Sequence, residues 1–240
     1  MPQAATAATG GTGLATAGRS GVSSGNPSGT STVVTQPGNA MVSATGNGIT
    51  VSVRESAMLR KGLTFTGLVP ASDAGDTIEV ERLGHETNGT WAATAHGTAN
   101  SAGAFTAFWP ANHIGRFQIR AVVEAPNGAS ARAGTPSPPV TVTVYRPSIA
   151  TWYGGPGEYG AQTACGVTLR KNTLGVASRT LPCGTQVALY YRGRTMVVPV
   201  IDRGPYANHA DWDLTAAVAK ALGTYVAGVV TIGAVSLPAQ

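Results

Sequence analysis

The residue types that could do chemistry concentrate in one stretch, VIDRGPYANHADWDLT, from Val200 to Thr215. Only 11% of the chain's 240 residues are charged. This stretch alone holds Asp202, Arg203, Asp211 and Asp213, with Tyr206, His209 and Trp212 among them. Asp202 ends the apolar run VVPVI and precedes Arg-Gly-Pro. A carboxyl on a groove floor there is raised by burial and can donate a proton. The competing reading pairs it with Arg203 or with turn amides, which keeps it ionised. Asp213 stands two residues before Thr215, where it either faces the same groove or helps the start of a helix. His209 lies in a polar loop and reads as solvated.

Two cysteines, Cys165 and Cys183, have 17 residues between them. They form no C-x-x-C pair and have no histidine at chelating distance along the chain, so the sequence names no metal ligand and no cofactor. Two cysteines this close in an exported chain suggest one disulfide, worth about 3 kcal/mol in the chain-entropy model. Two free buried thiols are the alternative.

Formal net charge is +5. Residues 1–45 carry only Arg19; residues 46–146 carry eight basic against seven acidic groups, a net of +1; residues 147–240 carry seven against four, a net of +3. No basic cluster marks a nucleic-acid site, whereas a mild positive charge suits an anionic polymer such as a bacterial wall. No apolar run reaches the ~18 residues of a membrane-spanning segment. The start, MPQAATAATGG, has neither the basic nor the apolar region of a signal peptide. It fits a mature N-terminus preceded by an added Met.

The elements that must position these residues fall into three regions. Residues 1–45, rich in Ala, Thr, Gly and Ser, read as an uncharged, disordered tether. Residues 46–146 show seven alternating runs: ITVSV, GLTFTGLV, TIEVERL, WAATAHGTA, AFTAFWP, GRFQIRAVVE and VTVTVYRP. Turn signals separate them, which predicts an immunoglobulin-like β-sandwich. Its inward set is Val51, Leu63, Phe65, Ile78, Val80, Trp91, Phe105, Phe117, Ile119, Ala121, Val142 and Val144. His85, His96 and His113 show no catalytic spacing, and Asn88-Gly89-Thr90 reads as a plain N-G turn although it matches a glycosylation sequon. Arg146-Pro147-Ser148 marks the boundary to a domain over residues 147–240. There QVALYY and TMVVPVID form a hairpin, LTAAVAKALG a helix capped by Thr215 and stopped by Gly223, and VAGVVTIGAV a closing strand. Short strands with one helix in so few residues fit a small closed barrel, so the class is all-β.

ATWYGGPGEYG, TACG, LGVASRTLPCGT, VVPVIDRGPY and WDLTAAVAKALG, in this order, resemble the rare lipoprotein A-like double-psi β-barrel domain. Relatives are septal-ring lytic transglycosylases, the N-terminal domain of expansins and the family 45 glycoside hydrolases. The resemblance implies a six-stranded barrel with one short helix and a substrate groove across one face, bounded by Asp202 and Asp213. It implies that Thr151, Tyr153, Arg203, Tyr206 and Trp212 bind the substrate, the aromatic rings stacking on sugars. In expansins and the family 45 hydrolases the aspartate matching Asp213 is the acid-like residue.

Three departures bear on activity. Septal-ring transglycosylases carry glutamate at the position of Val167, aspartate at that of Arg170 and histidine at that of Ser178. Family 45 hydrolases need an aspartate near Gly154. Inverting hydrolysis requires two carboxylates flanking a water, whereas a lytic transglycosylase manages with one acid because the sugar's own hydroxyl attacks. The expectation is therefore an exported, wall-associated monomer whose barrel binds or loosens peptidoglycan or another wall polysaccharide, with little or no cleavage. A lytic transglycosylase or glycosidase using Asp202 as acid with Asp213 is the second reading, and a non-enzymatic adhesion protein the third.

Overall fold

The computed structural model describes residues 36–124, 134–207 and 209–237; most of the expected tether, residues 1–35, lies outside them. The sequence expectation that the tether reaches residue 45 is corrected: β1 (Gln36–Pro37) pairs with a barrel strand and β2 (Met41–Gly46) with β3 (Ile49–Arg54). Asn47 and Gly48 join β2 and β3 with φ of 54° and 80°. Two successive left-handed residues make the tight hairpin turn that matches strand twist, and Asn-Gly is its preferred sequence.

Two sheets follow. The first has the order β2, β3, β5 (Leu63–Leu68), β8 (Ala104–Trp109). The second joins β7 (Ala92–Thr98), β6 (Thr77–Leu83), β9 (Gly115–Val123) and β10 (Val140–Tyr153), with β4 (Ser56–Met58) parallel to β10. Their alternating apolar residues meet in one buried cluster that includes Val51, Phe65, Ile78, Phe117 and Val142. The expected inward set is buried throughout except Trp91. Trp91 precedes β7 and lies under the Arg120 guanidinium, 4.1 Å from ring centroid. Trp109 supplies the core indole instead, edge-on to Phe117.

Strand β10 is the hinge of the architecture. Up to Tyr145 it pairs with β9 and β4, and from Arg146 to Ala150 it pairs with β15 (Val230–Ser236). The boundary expected at Arg146-Pro147 is thus a change of partner within one continuous strand of 14 residues. Proline fits there at modest cost only where its missing N–H is not needed by the ladder.

The remaining strands close a barrel: β14 (Trp212–Thr215), β11 (Val176–Ala177), β13 (Arg194–Asp202), β12 (Gln186–Tyr191), β15 and β10 are neighbours in that order, and β10 pairs β14 to complete the circle. Val187, Leu189, Val198, Val200, Leu214 and Ile232 fill it. Helix α1 (Ala216–Leu222) starts at Thr215, whose hydroxyl accepts the Val218 N–H, and ends at Gly223 with φ 89°. Both caps are the residues the sequence predicts. Cys165 and Cys183 are bonded.

Candidate functional site

Four neighbouring strands carry one row of residues across the barrel. Thr151 of β10 is opposite Asp213 of β14, Asp213 is opposite Ala177 of β11, and Ala177 is opposite Asp202 of β13. The adjacent Ala150, Val176 and Leu214 are buried in the barrel core, so alternation turns Thr151, Ala177 and Asp213 to the other face, and a register shift between Val176 and Ala177 brings Asp202 level with them.

The two carboxylates are held differently. Asp202 Oδ1 accepts the N–H of Ala164 at 2.9 Å and of Arg203 at 2.8 Å. This is the turn-amide arrangement. Asp213 Oδ1 accepts the Thr151 hydroxyl at 2.7 Å. Burial pushes the Asp213 carboxyl above its ordinary range; the Thr151 bond opposes this, and the charges of Glu158 and Asp202 add to it. Tyr153, two residues beyond Thr151, brings a buried hydroxyl that meets no strict hydrogen-bond geometry among the described residues although it approaches the Asp202 carboxylate. It is close enough to both aspartates for their charges, after burial itself, to push its pKa well up.

Glu158 is a third carboxylate that sequence reasoning missed. Its Oε2 accepts the N–H groups of Gly154 and Gly155 at 2.9 and 3.0 Å. It thereby shapes the GGPGE turn and directs negative charge at Asp213 and Tyr153. The available signal was its place three residues after Gly155-Pro156, the spacing of a capping residue.

The other expected site residues lie elsewhere. Arg203 turns its guanidinium to the carbonyls of Ser178 and Leu181, at 3.2 and 2.9 Å, with Nη2 3.3 Å from Cys183 Sγ. It clamps the disulfide-bearing loop. Tyr206 is 81% exposed, on a segment that Arg179 anchors by donating to the carbonyls of Pro205 and Ala210. Trp212 precedes Asp213 and therefore points to the opposite side of β14. It packs against the barrel core and lines a separate cleft of about 470 Å³ with Ile114, Arg146 and Arg179. Asp211 caps the Ile149 N–H at 2.9 Å.

At the positions where the resembled transglycosylases carry acids and a histidine, this chain builds turns. The Ser178 hydroxyl accepts the Leu181 N–H at 3.2 Å, the Val167 N–H donates to Thr163 Oγ1, and the Arg170 N–H donates to Thr173 Oγ1. Chemically, the row offers one carboxyl disposed by burial to hold a proton, one carboxyl fixed by main-chain N–H groups, and a phenol near both.

Residues 147–234 match the family model described as lytic transglycolase, so the resemblance read from the sequence holds for that segment. The probable endolytic peptidoglycan transglycosylase RlpA of Synechocystis is 40% identical over 101 residues, 41% of this chain and 31% of that protein. That of Aquifex aeolicus is 40% identical over 88 residues, 36% of this chain and 38% of that protein. The chain therefore spans about a third of the length of these curated relatives. Among solved structures, a Streptomyces papain inhibitor is 28% identical, over 38% of this chain and 93% of that one, with a TM-score of 0.33.

Proposed function

We propose that the barrel matched to the lytic transglycolase family is a double-psi barrel that engages peptidoglycan through the Thr151–Asp213–Asp202 row, with little or no cleavage. The observation that carries this reading is the unequal pair of aspartates. Asp202 spends one oxygen on two main-chain N–H groups, and Val167, Arg170 and Ser178 supply neither acid nor imidazole to replace it as a base. Inverting hydrolysis needs, beside an acid, a carboxylate free to activate a water, and Asp202 is already committed to the N–H groups of Ala164 and Arg203. Asp213, held at raised pKa beside Tyr153, retains the hydrogen-bonding character that grips sugar hydroxyls. Similarity to probable endolytic peptidoglycan transglycosylases supports this substrate class. The order β2, β3, β5, β8 against β7, β6, β9, β10, with β4 parallel to β10, supports reading the preceding sandwich as an immunoglobulin-like spacer. Export to the wall follows from the same reading. No helix among the described residues is long and apolar enough to cross a membrane.

A second reading has its own observation. Burial raises the Asp213 carboxyl, which disposes it to hold and donate a proton, and a lytic transglycosylase needs only one such acid. Incubation with purified peptidoglycan and mass spectrometry of the soluble products separates the two. Protein retained on the pellet with no products supports binding. Anhydro-muropeptides that vanish in Asp213→Asn establish the transglycosylase, and reducing-end products indicate hydrolysis.

A further inference from the structure

The sandwich brings together three side chains that the sequence keeps apart. Glu79 of β6 and His96 of β7 are direct cross-strand partners. Glu124 follows β9, whose Val122 and Val123 pair with Glu79 and Ile78, and its N–H donates to the Thr77 carbonyl at 2.9 Å. Ile78, Val80 and Val123 are buried, so alternation places Glu79 and Glu124 together on the outward face. One ligand atom from each of Glu79, His96 and Glu124 lies within 4.8 Å of the other two.

The charges around this group are unbalanced. Glu81, two residues along the same strand, has its own guanidinium, Arg120 at 2.6 Å. Among the described residues no Lys or Arg forms an ion pair with Glu79 or Glu124, and the His96 imidazole lies 3.4 Å from the Glu79 carboxylate. The 3.4 Å separation is long for a charge-assisted hydrogen bond, typically about 2.8 Å. It matches the ligand-to-ligand edge of a tetrahedron with metal bonds of about 2.1 Å, which is roughly 3.4 Å.

We propose that Glu79, His96 and Glu124 form a binding site for a divalent transition-metal ion of the Zn²⁺ class. One imidazole with two carboxylates suits Zn²⁺ better than Ca²⁺ or Mg²⁺, which take oxygen ligands alone. The three backbones are fixed by adjacent strands, so closing the 4.8 Å spread requires only side-chain rotation. Three protein ligands leave a fourth position for water or a partner's donor atom. The sequence reading, which names no metal ligand, missed the group because its members come from three strands and only the pairing register unites them. The site is independent of the barrel and of its proposed role.

The test is calorimetric titration of the chelator-treated full chain with ZnCl2, with thermal unfolding in parallel. One Zn²⁺ per chain is expected, with a rise in Tm because the ion binds the folded state. The affinity falls at least about tenfold in His96→Ala and in the near-isosteric Glu79→Gln, as loss of a ligand costs no less than loss of its supporting partner, and the rise in Tm shrinks accordingly. Circular dichroism checks that both variants remain folded. Absence of Zn²⁺ binding would leave a proton-sharing carboxyl pair and overturn the proposal. So would binding undiminished in the folded variants, which moves the ion to another histidine, or equal affinity for Ca²⁺.

Discussion

Asp202 and Asp213 bear the same side chain, one strand apart on either side of Ala177, yet their surroundings give them different chemistry. Main-chain N–H groups hold Asp202, whereas Asp213 has a single hydroxyl donor and substantial burial. A carboxyl whose folded pKa is raised stabilises the fold fully only below its unfolded pKa. That contribution is lost as pH rises through the folded value. Asp213 therefore costs stability at about pH 7 and none at about pH 3. Asp213→Asn should raise Tm near pH 7 and leave it unchanged near pH 3, read from melting curves at both. An equal change at the two pH values would show that the carboxyl is not desolvated. Thr151→Val removes the one bond that opposes the shift, so it should lower Tm near neutral pH and have less effect in acid.

At the scale of elements, the disulfide ties the loop that carries Ala164 to the loop that carries Ser178 and Leu181, where Arg203 also docks. Reducing it should cost about 3 kcal/mol, as for a closed loop of this length, and show as a lower Tm with dithiothreitol. It should also weaken pull-down on cell walls, because the Ala164 N–H that fixes Asp202 is released. Full wall binding by the reduced protein would separate the groove from these loops. Sequence pattern was most legible in such self-contained pieces. TIEVERL is strand β6 and QVALYY is strand β12 residue for residue, since alternation and flanking turns suffice to define them. MVSATG was not legible, because its Ala, Thr and Gly look like the tether before it, and the Asn47-Gly48 turn signal that follows it was not read as a hairpin. The site was half legible. Thr151 and Asp213 are 62 positions apart and meet through strand register, which the resemblance conveyed and spacing could not. Trp212 packs on the core side of β14 while Asp213 faces the row, since in a strand one residue reverses the face.

On the scale of the whole molecule, the sandwich and the barrel share a strand instead of a linker. Beside the partner change in β10, Tyr145, Ala188 and Val235 form a buried cluster packed by Met58, Tyr190 and Val197, and the Tyr145 and Tyr190 rings stack at 5.5 Å. Gly233 of β15 permits this approach: a Cβ there would stand 2.7 Å from Tyr145 Cβ and 2.8 Å from Met58 Sδ. Composition could not reveal the junction, because a proline between two domain-like patterns reads as a break. A strand that belongs to both sheets cannot fray in one without exposing the other. Residues 36–237 should consequently unfold as one cooperative unit, with a single calorimetric peak whose van't Hoff and calorimetric enthalpies agree. Gly233→Ala forces the two halves apart at their seam and should lower that peak, by an amount typical of overpacking, about 1–3 kcal/mol. A wild-type protein that melts in two separate steps, or a Gly233→Ala variant that melts as the wild type does, would mean that β10 joins the two halves without coupling them.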